Sequence, residues 1–501
     1  MRDETSGSPG YLDCKPPPPY RILPMVAPTD TPLLHRARHT PASAIQTAIP
    51  VPAQQRQVLL ATSLSYALIM LDTSVVNVAL QSMALGLDVT VSGLQWVISA
   101  YTLAFASALL TGGALGDRWG ARKLYLVGLL LFTCASLACG VAASPGMLIA
   151  ARVAQGLGAA LLVPCSLKLI HQACPDPQQR ARAIGLWASC GGIAMAAGPL
   201  IGGALTQWLG WRSIFFVNLP LGICGGVLAW RLLADPQAPQ DVRFDWPGQL
   251  AASVALAALI GVLIEGQALG WTSPLILSGA AIALVAGLAF VWIEARSPHA
   301  MLPLALFRQP IFAGSTLVSA LSALVFYGLF FVTSLDFQQI RGYSPLHAGL
   351  AFVPLTAMVA LASLLSHRVV RACGTRWPMC AAFVLYAMGA LGLMQGGSLP
   401  NLLSMIAIGL ASGFISPAAT APAMEAVAPQ AAGVAAATLN TARQTGAALG
   451  VAIFGSLATA LPSFTTGLSA ALWAAAGLSL FAALVWGKVM ARAAQPLLRP
   501  R

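Results

Sequence analysis

Charge is what this sequence has least of: 8% of its 501 residues are charged, 57% are hydrophobic, and the mean hydropathy is +0.77. A soluble globular protein carries about 25% charged residues, so most of this chain has lipid as its solvent. Other absences exclude whole classes of function. No GxxxxGK[ST] segment is present, so no P-loop supplies ATP-driven work. The six histidines (35, 39, 171, 299, 347, 367) form no HxxxH or HxxE set, which argues against a polytopic membrane enzyme. The nine cysteines (14, 134, 139, 165, 174, 190, 224, 373, 380) form no CxxC pair and no metal spacing with histidine. Neither a disulfide framework nor a metal site is expected. There is no soluble domain to read out a signal. The net charge of +12 does not point to nucleic acid, because the basic residues lie in short gaps between apolar runs.

What is present is a series of such runs. Fourteen are long enough to cross a hydrocarbon layer of about 30 Å at 1.5 Å per residue. They cover 58–80, 94–114, 124–142, 147–169, 183–205, 213–233, 247–265, 275–293, 311–332, 347–367, 378–396, 400–422, 442–463 and 466–490. Residues 1–56 differ, with PPPP at 16–19 and no charged-then-apolar signal layout. They read either as a disordered cytoplasmic tail or as sequence preceding the true start. Counting Lys and Arg puts only Arg212 and Arg341 outside once the N-terminus is placed inside. Both termini are therefore expected in the cytoplasm, in a multi-pass protein of the cell (inner or plasma) membrane.

The runs repeat. GDRWGARKLYL (116–126) after the second and HRVVRACGTRW (367–377) after the tenth are both short and basic, with Gly between arginines. The fifth and thirteenth are both rich in Gly and Ala. The expected organisation is a tail (1–56), a six-helix half (57–246), two inserted helices and a linker (247–310), a second six-helix half (311–490) and a cytoplasmic tail (491–501).

GALGDRWGARK (113–123) resembles the loop signature of the major facilitator superfamily at Gly113, Leu115, Asp117, Arg118, Gly120, Arg122 and Lys123. It is either a cytoplasmic latch or a loop that only sets topology. ARVAQGLGAALLVP (151–164) resembles the superfamily's R-x-x-Q-G-x-G segment, and Arg152, Gln155, Gly156 and Ala159 share a helix face. AAGPLIGG (196–203) is similar to its antiporter segment, with Ala194 where the family has glycine. Pro199 there should bend the helix, while Gly198, Gly202 and Gly203 admit a neighbour. With WRSIFFVNLPLG (211–222), FDWPG (244–248), YSPLHAGLAFVPL (343–355) and TARQTGAALG (441–450), the chain is similar to the fourteen-helix drug:proton antiporter branch, and within it to the methylenomycin-resistance type. That resemblance implies an all-α major facilitator fold of fourteen helices, working by alternating access.

Inside the first run, LDTSVVNVAL (71–80) carries Asp72 and Asn77. Such a charge costs roughly 2.5–3.5 kcal/mol at a bilayer centre on insertion scales, so it calls for a function. At 100° per residue, Thr62, Ser65, Tyr66, Asp72, Thr73 and Asn77 fall within about 140°, opposite Leu64, Leu68, Leu71, Val75 and Val78. Asp72 and Arg152 enter at similar depth and can pair. Desolvation favours a protonated carboxylate and a nearby guanidinium an ionised one, so the pair suits either a proton carrier or a fixed clamp between spans one and four. Arg152 faces the bundle, or else snorkels outward. Asn440, Arg443, Gln444 and Ala447 share a face at the start of span thirteen; Arg443 either meets substrate or anchors the cytoplasmic end. Tyr66, Asn77, Gln155, Arg443 and Gln444 are the candidate cavity residues. The expectation is a monomeric exporter of small amphipathic, neutral or singly charged compounds. It would need no cofactor, with a proton gradient as its drive; a proton-coupled exporter or importer of one metabolite is the alternative.

Overall fold

Helix boundaries follow from repeated local chemistry. Ser144, Asp176, Ser273 and Ser344 each precede a proline, and each side-chain oxygen accepts the backbone N–H three residues on. A polar cap followed by Pro satisfies orphan donors and presets φ for the first turn. A single residue, Gly120 at φ 94°, reverses the chain between the second helix and the third, a conformation open to glycine.

The computed structural model describes residues 53–232, 245–297, 300–428 and 431–494. Among these residues there are fourteen long helices. They are α1 Ala53–Leu87, α2 Val91–Trp119, α3 Ala121–Gly140, α4 Pro145–Ala173, α5 Pro177–Leu209, α6 Ser213–Arg231 and α7 Trp246–Leu269. Then follow α8 Pro274–Arg296, α9 Pro310–Ile340, α10 Pro345–Cys373, α11 Arg376–Gln395, α12 Ser398–Glu425, α13 Ala432–Ala460 and α14 Phe464–Ala494. The proline-rich tail expected over 1–56 lies outside the described residues up to 52, and Ala53–Arg56 already belong to α1. Likewise Ala491–Ala494 continue α14, and the rest of the expected C-terminal tail lies outside the described residues.

Thirteen of the helices are apolar enough throughout to mark a span by composition; α13 is the exception. Its first turns carry Thr438, Asn440, Thr441, Arg443, Gln444 and Thr445, which is why hydropathy alone starts the span at 442 while the helix starts at 432. Arg443 consequently lies roughly 16 Å inside the helix rather than at its end.

Packing repeats as the sequence does. Helix α1 packs on α5, α2 on α4, and α3 on α4 and α6; in the same order α9 packs on α13, α10 on α12, and α11 on α12 and α14. Two seams join these groups, α2 with α13 and α5 with α10. The inserted pair α7 and α8 leans on α2 and α13 through α7, and α8 leaves Leu284, Val285, Leu288 and Val291 exposed, as lipid contact requires.

Alternating helix direction gathers Arg118, Arg122, Lys168, Arg296, Arg371 and Lys488 at one end of the bundle, called the basic end below. At the opposite end the seams are closed. Gln95 of α2 donates to the carbonyls of Val451 (3.1 Å) and Ala452 (2.9 Å) of α13. Ser334 of α9 donates to the Asn77 carbonyl of α1, and Gln339 to Gln81 at 2.8 Å. Towards the basic end a cavity of about 590 Å³ separates α2 and α4 from α13, lined among others by Leu110, Pro164, Lys168, Val434, Ala437 and Asn440.

Candidate functional site

Asp72 is wholly buried, and so is Arg152 at 1% exposure. Close approach of α4 to α2 makes this possible: a Cβ on Gly156 would run into the Tyr101 carbonyl. Arg152 Nη1 donates to Asp72 Oδ2 at 2.6 Å and to Gln155 Oε1 at 2.7 Å, and its Nε to the Val97 carbonyl at 3.1 Å. Its guanidinium lies 4.3 Å from the Tyr101 ring centroid and 5.9 Å from that of Phe215, so aromatic faces replace part of its hydration.

The other carboxylate oxygen has two further donors. Gln155 Nε2 reaches Asp72 Oδ1 at 2.8 Å, and Asn218 Nδ2 reaches the same atom at 2.8 Å. Ser136 Oγ of α3 accepts from Gln155 at 2.8 Å and, more loosely, from Asn218 at 3.4 Å. Asn218 is placed by a break in α6. Pro220 offers no N–H to the Phe216 carbonyl, the helix divides at Val217, and its second segment opens with Asn218. Three donors on one carboxylate suit its ionised form, and the pair needs them because burial removes both groups from solvent. The sequence reading found Asp72, Arg152 and Gln155. It missed Ser136 and Asn218, whose only signal is a lone polar residue in an apolar run.

The structure places the other expected residues as follows. Asn77 is buried in the closed end, its side chain donating to the Thr73 carbonyl at 3.1 Å, and Gln155 belongs to the Asp72 network; neither they nor Tyr66, Arg443 and Gln444 are among the residues lining the cavity of about 590 Å³. The side of α1 opposite its polar stripe is also buried, at Leu68, Leu71, Val75 and Val78, because α1 is a central helix. Tyr66 is partly exposed and stacks on Trp187 of α5, centroids 3.7 Å apart. Arg443 is partly exposed and donates to Ser416 Oγ at 2.9 Å; Gln444 beside it is also partly exposed.

In the basic loop, Asp117 pairs with Lys168 of α4, and Lys168 also donates to the Gly116 carbonyl at 3.1 Å. Arg122 donates to the Trp230 carbonyl of α6 at 2.9 Å. Arg118 closes α2, and Lys123 is in the first turn of α3. The Asp117, Lys168 and Arg122 contacts stay within α1–α6. Close packing of α2 on α4 falls at Gly112, whose added Cβ would strike the Ala160 carbonyl; Gly113 has room. In α5, Gly198 and Gly202 lie on Ser74 and Val75 of α1, whereas Gly203 meets the Pro345 backbone and the Pro199 carbonyl meets Gly349 across the α5–α10 seam.

Two six-helix repeats, two seams joining them and a buried ionic network inside the first repeat are the features of a transporter bundle. The family model described as Major Facilitator Superfamily matches residues 62–248 and 246–451. The chain belongs to this superfamily. Among its relatives in it is the methylenomycin A resistance protein of Streptomyces coelicolor, 38% identical over 411 residues, covering 81% of this chain and 86% of that protein. Another is the multidrug resistance protein Stp of Mycobacterium tuberculosis, 37% identical over 410 residues, covering 81% and 76%. The fold is also similar to that of a bacterial homologue of the human lysosomal transporter Spinster, solved in an inward-facing and unoccupied conformation. It aligns with a TM-score of 0.63 at 18% identity, over 87% of this chain and 97% of that one.

Proposed function

We propose that the protein exports small amphipathic, drug-like compounds across the cell membrane in exchange for protons. Relatives named for resistance to methylenomycin A and to multiple drugs support the export reading. The observation that carries the coupling is the Asp72 carboxylate, held by Arg152, Gln155 and Asn218 from α4 and α6.

In this reading the basic end, with both termini, faces the cytoplasm, and the conformation described is open inward. Residues 57–246 rock against 311–490 as a monomer, with the proton gradient as the only drive. When the opposite end opens, a proton from outside reaches Asp72. The neutral acid no longer holds Arg152, and α1, α4 and α6 shift against one another. Closing that end and opening the basic end returns the proton to the cytoplasm and restores the ionised network. Gly203, Pro199 and Gly349 form the contact that opens and closes, and Asp117 with Lys168 braces the moving basic end. Substrate occupies the space near Tyr66 and Arg443 and leaves outward.

Inside-out vesicles with an acidic lumen test this. Adding an exported compound should alkalinise the lumen, and Asp72→Asn should abolish the response. Unchanged drug-dependent proton release in Asp72→Asn would overturn the carrier role. Acidification on adding a compound would instead identify an importer.

A further inference from the structure

Arg443, which is partly exposed, differs from the buried Arg152. Arg152 has the Asp72 carboxylate, but Arg443, roughly 16 Å inside α13, has neutral acceptors alone. Its Nη1 donates to Ser416 Oγ at 2.9 Å, its Nη2 to Thr420 Oγ1 at 3.4 Å and its Nε to the Leu439 carbonyl at 3.5 Å. The last two are too long to count for much. Among the described residues no carboxylate stands within ion-pair distance of Arg443; Asp117 and Asp336, by contrast, each have a cation. A guanidinium in such surroundings has lost hydration without a counter-charge, which is costly unless an anion arrives.

Its neighbours fit a ligand. Tyr66 and Tyr327 lie within electrostatic reach of Arg443 from α1 and α9. Tyr66 and Trp187 stack at 3.7 Å with 17° between their planes, a flat apolar platform beside the charge. Trp187 is buried, and its Nε1 donor has no partner. One helical turn towards the basic end, Asn440 lines the cavity of about 590 Å³. The carboxylates lining that cavity are Asp117, paired with Lys168, and Asp245, whose Oδ1 accepts the Gly248 N–H at the start of α7 and whose Oδ2 has no partner. Neither forms an ion pair with Arg443.

We infer that the site takes amphiphiles bearing an acidic head group, a carboxylate or an enolate, which docks on the Arg443 fork while its ring system lies against Tyr66 and Trp187. A carboxylate offers two acceptors to a planar fork with five donors, and an ammonium offers none. This rests on the export reading only in taking this space as the substrate site.

The test uses three molecules with one ring system: indole-3-acetate, indole-3-acetamide and tryptamine. Calorimetric titration of the detergent-purified protein, with no gradient, should show the acid binding roughly ten-fold more tightly than the amide or the amine. Arg443→Gln should remove that preference, and Arg443→Lys, which keeps the charge but not the fork, should retain part of it. The inference fails if tryptamine binds as well as the acid, if none of the three binds at millimolar concentration, or if Arg443→Gln leaves the acid-to-amide ratio unchanged. Should Arg443→Gln not fold, the same ratio in Arg443→Lys decides: an undiminished preference overturns the fork. Gradient-driven flux is read separately. Its absence alongside intact acid preference would overturn export and leave this site standing.

Discussion

Asn218 of α6 donates 2.8 Å to the same Asp72 oxygen that accepts Gln155, tying the first and sixth helices through one carboxylate. A hydrogen bond to a charged group contributes about 1.5–3 kcal/mol. Asn218→Ala withdraws a donor that an ionised carboxylate holds more strongly than a neutral acid does. We predict that Asn218→Ala lowers the unfolding free energy by about 1.5–3 kcal/mol and slows coupled transport. Unchanged stability and flux would mean that Asn218 has no hold on the carboxylate.

Arg152 and Asp72 should behave as a unit. Removing one partner of a buried pair leaves the other uncompensated, at about 3–5 kcal/mol. Asp72→Asn and Arg152→Gln alone are each expected to lower unfolding temperature strongly, and the double variant to recover much of the loss while remaining unable to couple. A double variant whose losses simply add would show that the two side chains contribute independently.

The closed end can be fixed chemically. Gln81 and Gln339 touch there at 2.8 Å, one from each half. Cysteines at these two positions, in a background lacking the others, should be joined by a short cleavable bismaleimide, with loss of flux. Cleavage of the linker should restore it. Full flux while joined would show that this end need not open.

The Asp117–Lys168 pair is partly exposed, so its share of stability is small. Asp117→Asn is expected to change unfolding free energy by less than about 1 kcal/mol. A much larger loss of stability would make the pair a structural staple rather than a brace.

What the sequence disclosed followed from how each signal is written. A carboxylate in an apolar run is expensive anywhere in lipid, so Asp72 announced itself, and the spacing of Arg152 and Gln155 put both on one face of α4. Asn218 was not legible, because an amide in such a run is cheaper and its position depends on the break made by Pro220. Arg443 was seen, but the helix around it was read as starting ten residues late. Hydropathy registers a sustained apolar run, whereas α13 opens with AGVAAA and is then interrupted by the polar stretch from Thr438 to Thr445. The pairing of α2 with α13 and of α5 with α10 was also hidden, since small residues such as Gly203 and Gly349 mark close packing without naming the partner.

The two seams have different surroundings. Helix α7 lies along both α2 and α13, and its Trp96–Glu265 hydrogen bond of 2.7 Å fastens it to α2. Nothing comparable covers α5 and α10 among the described residues, and most residues of both are not buried. Among the described residues the inserted helices therefore screen the α2–α13 seam on its outer side and leave the α5–α10 seam unscreened.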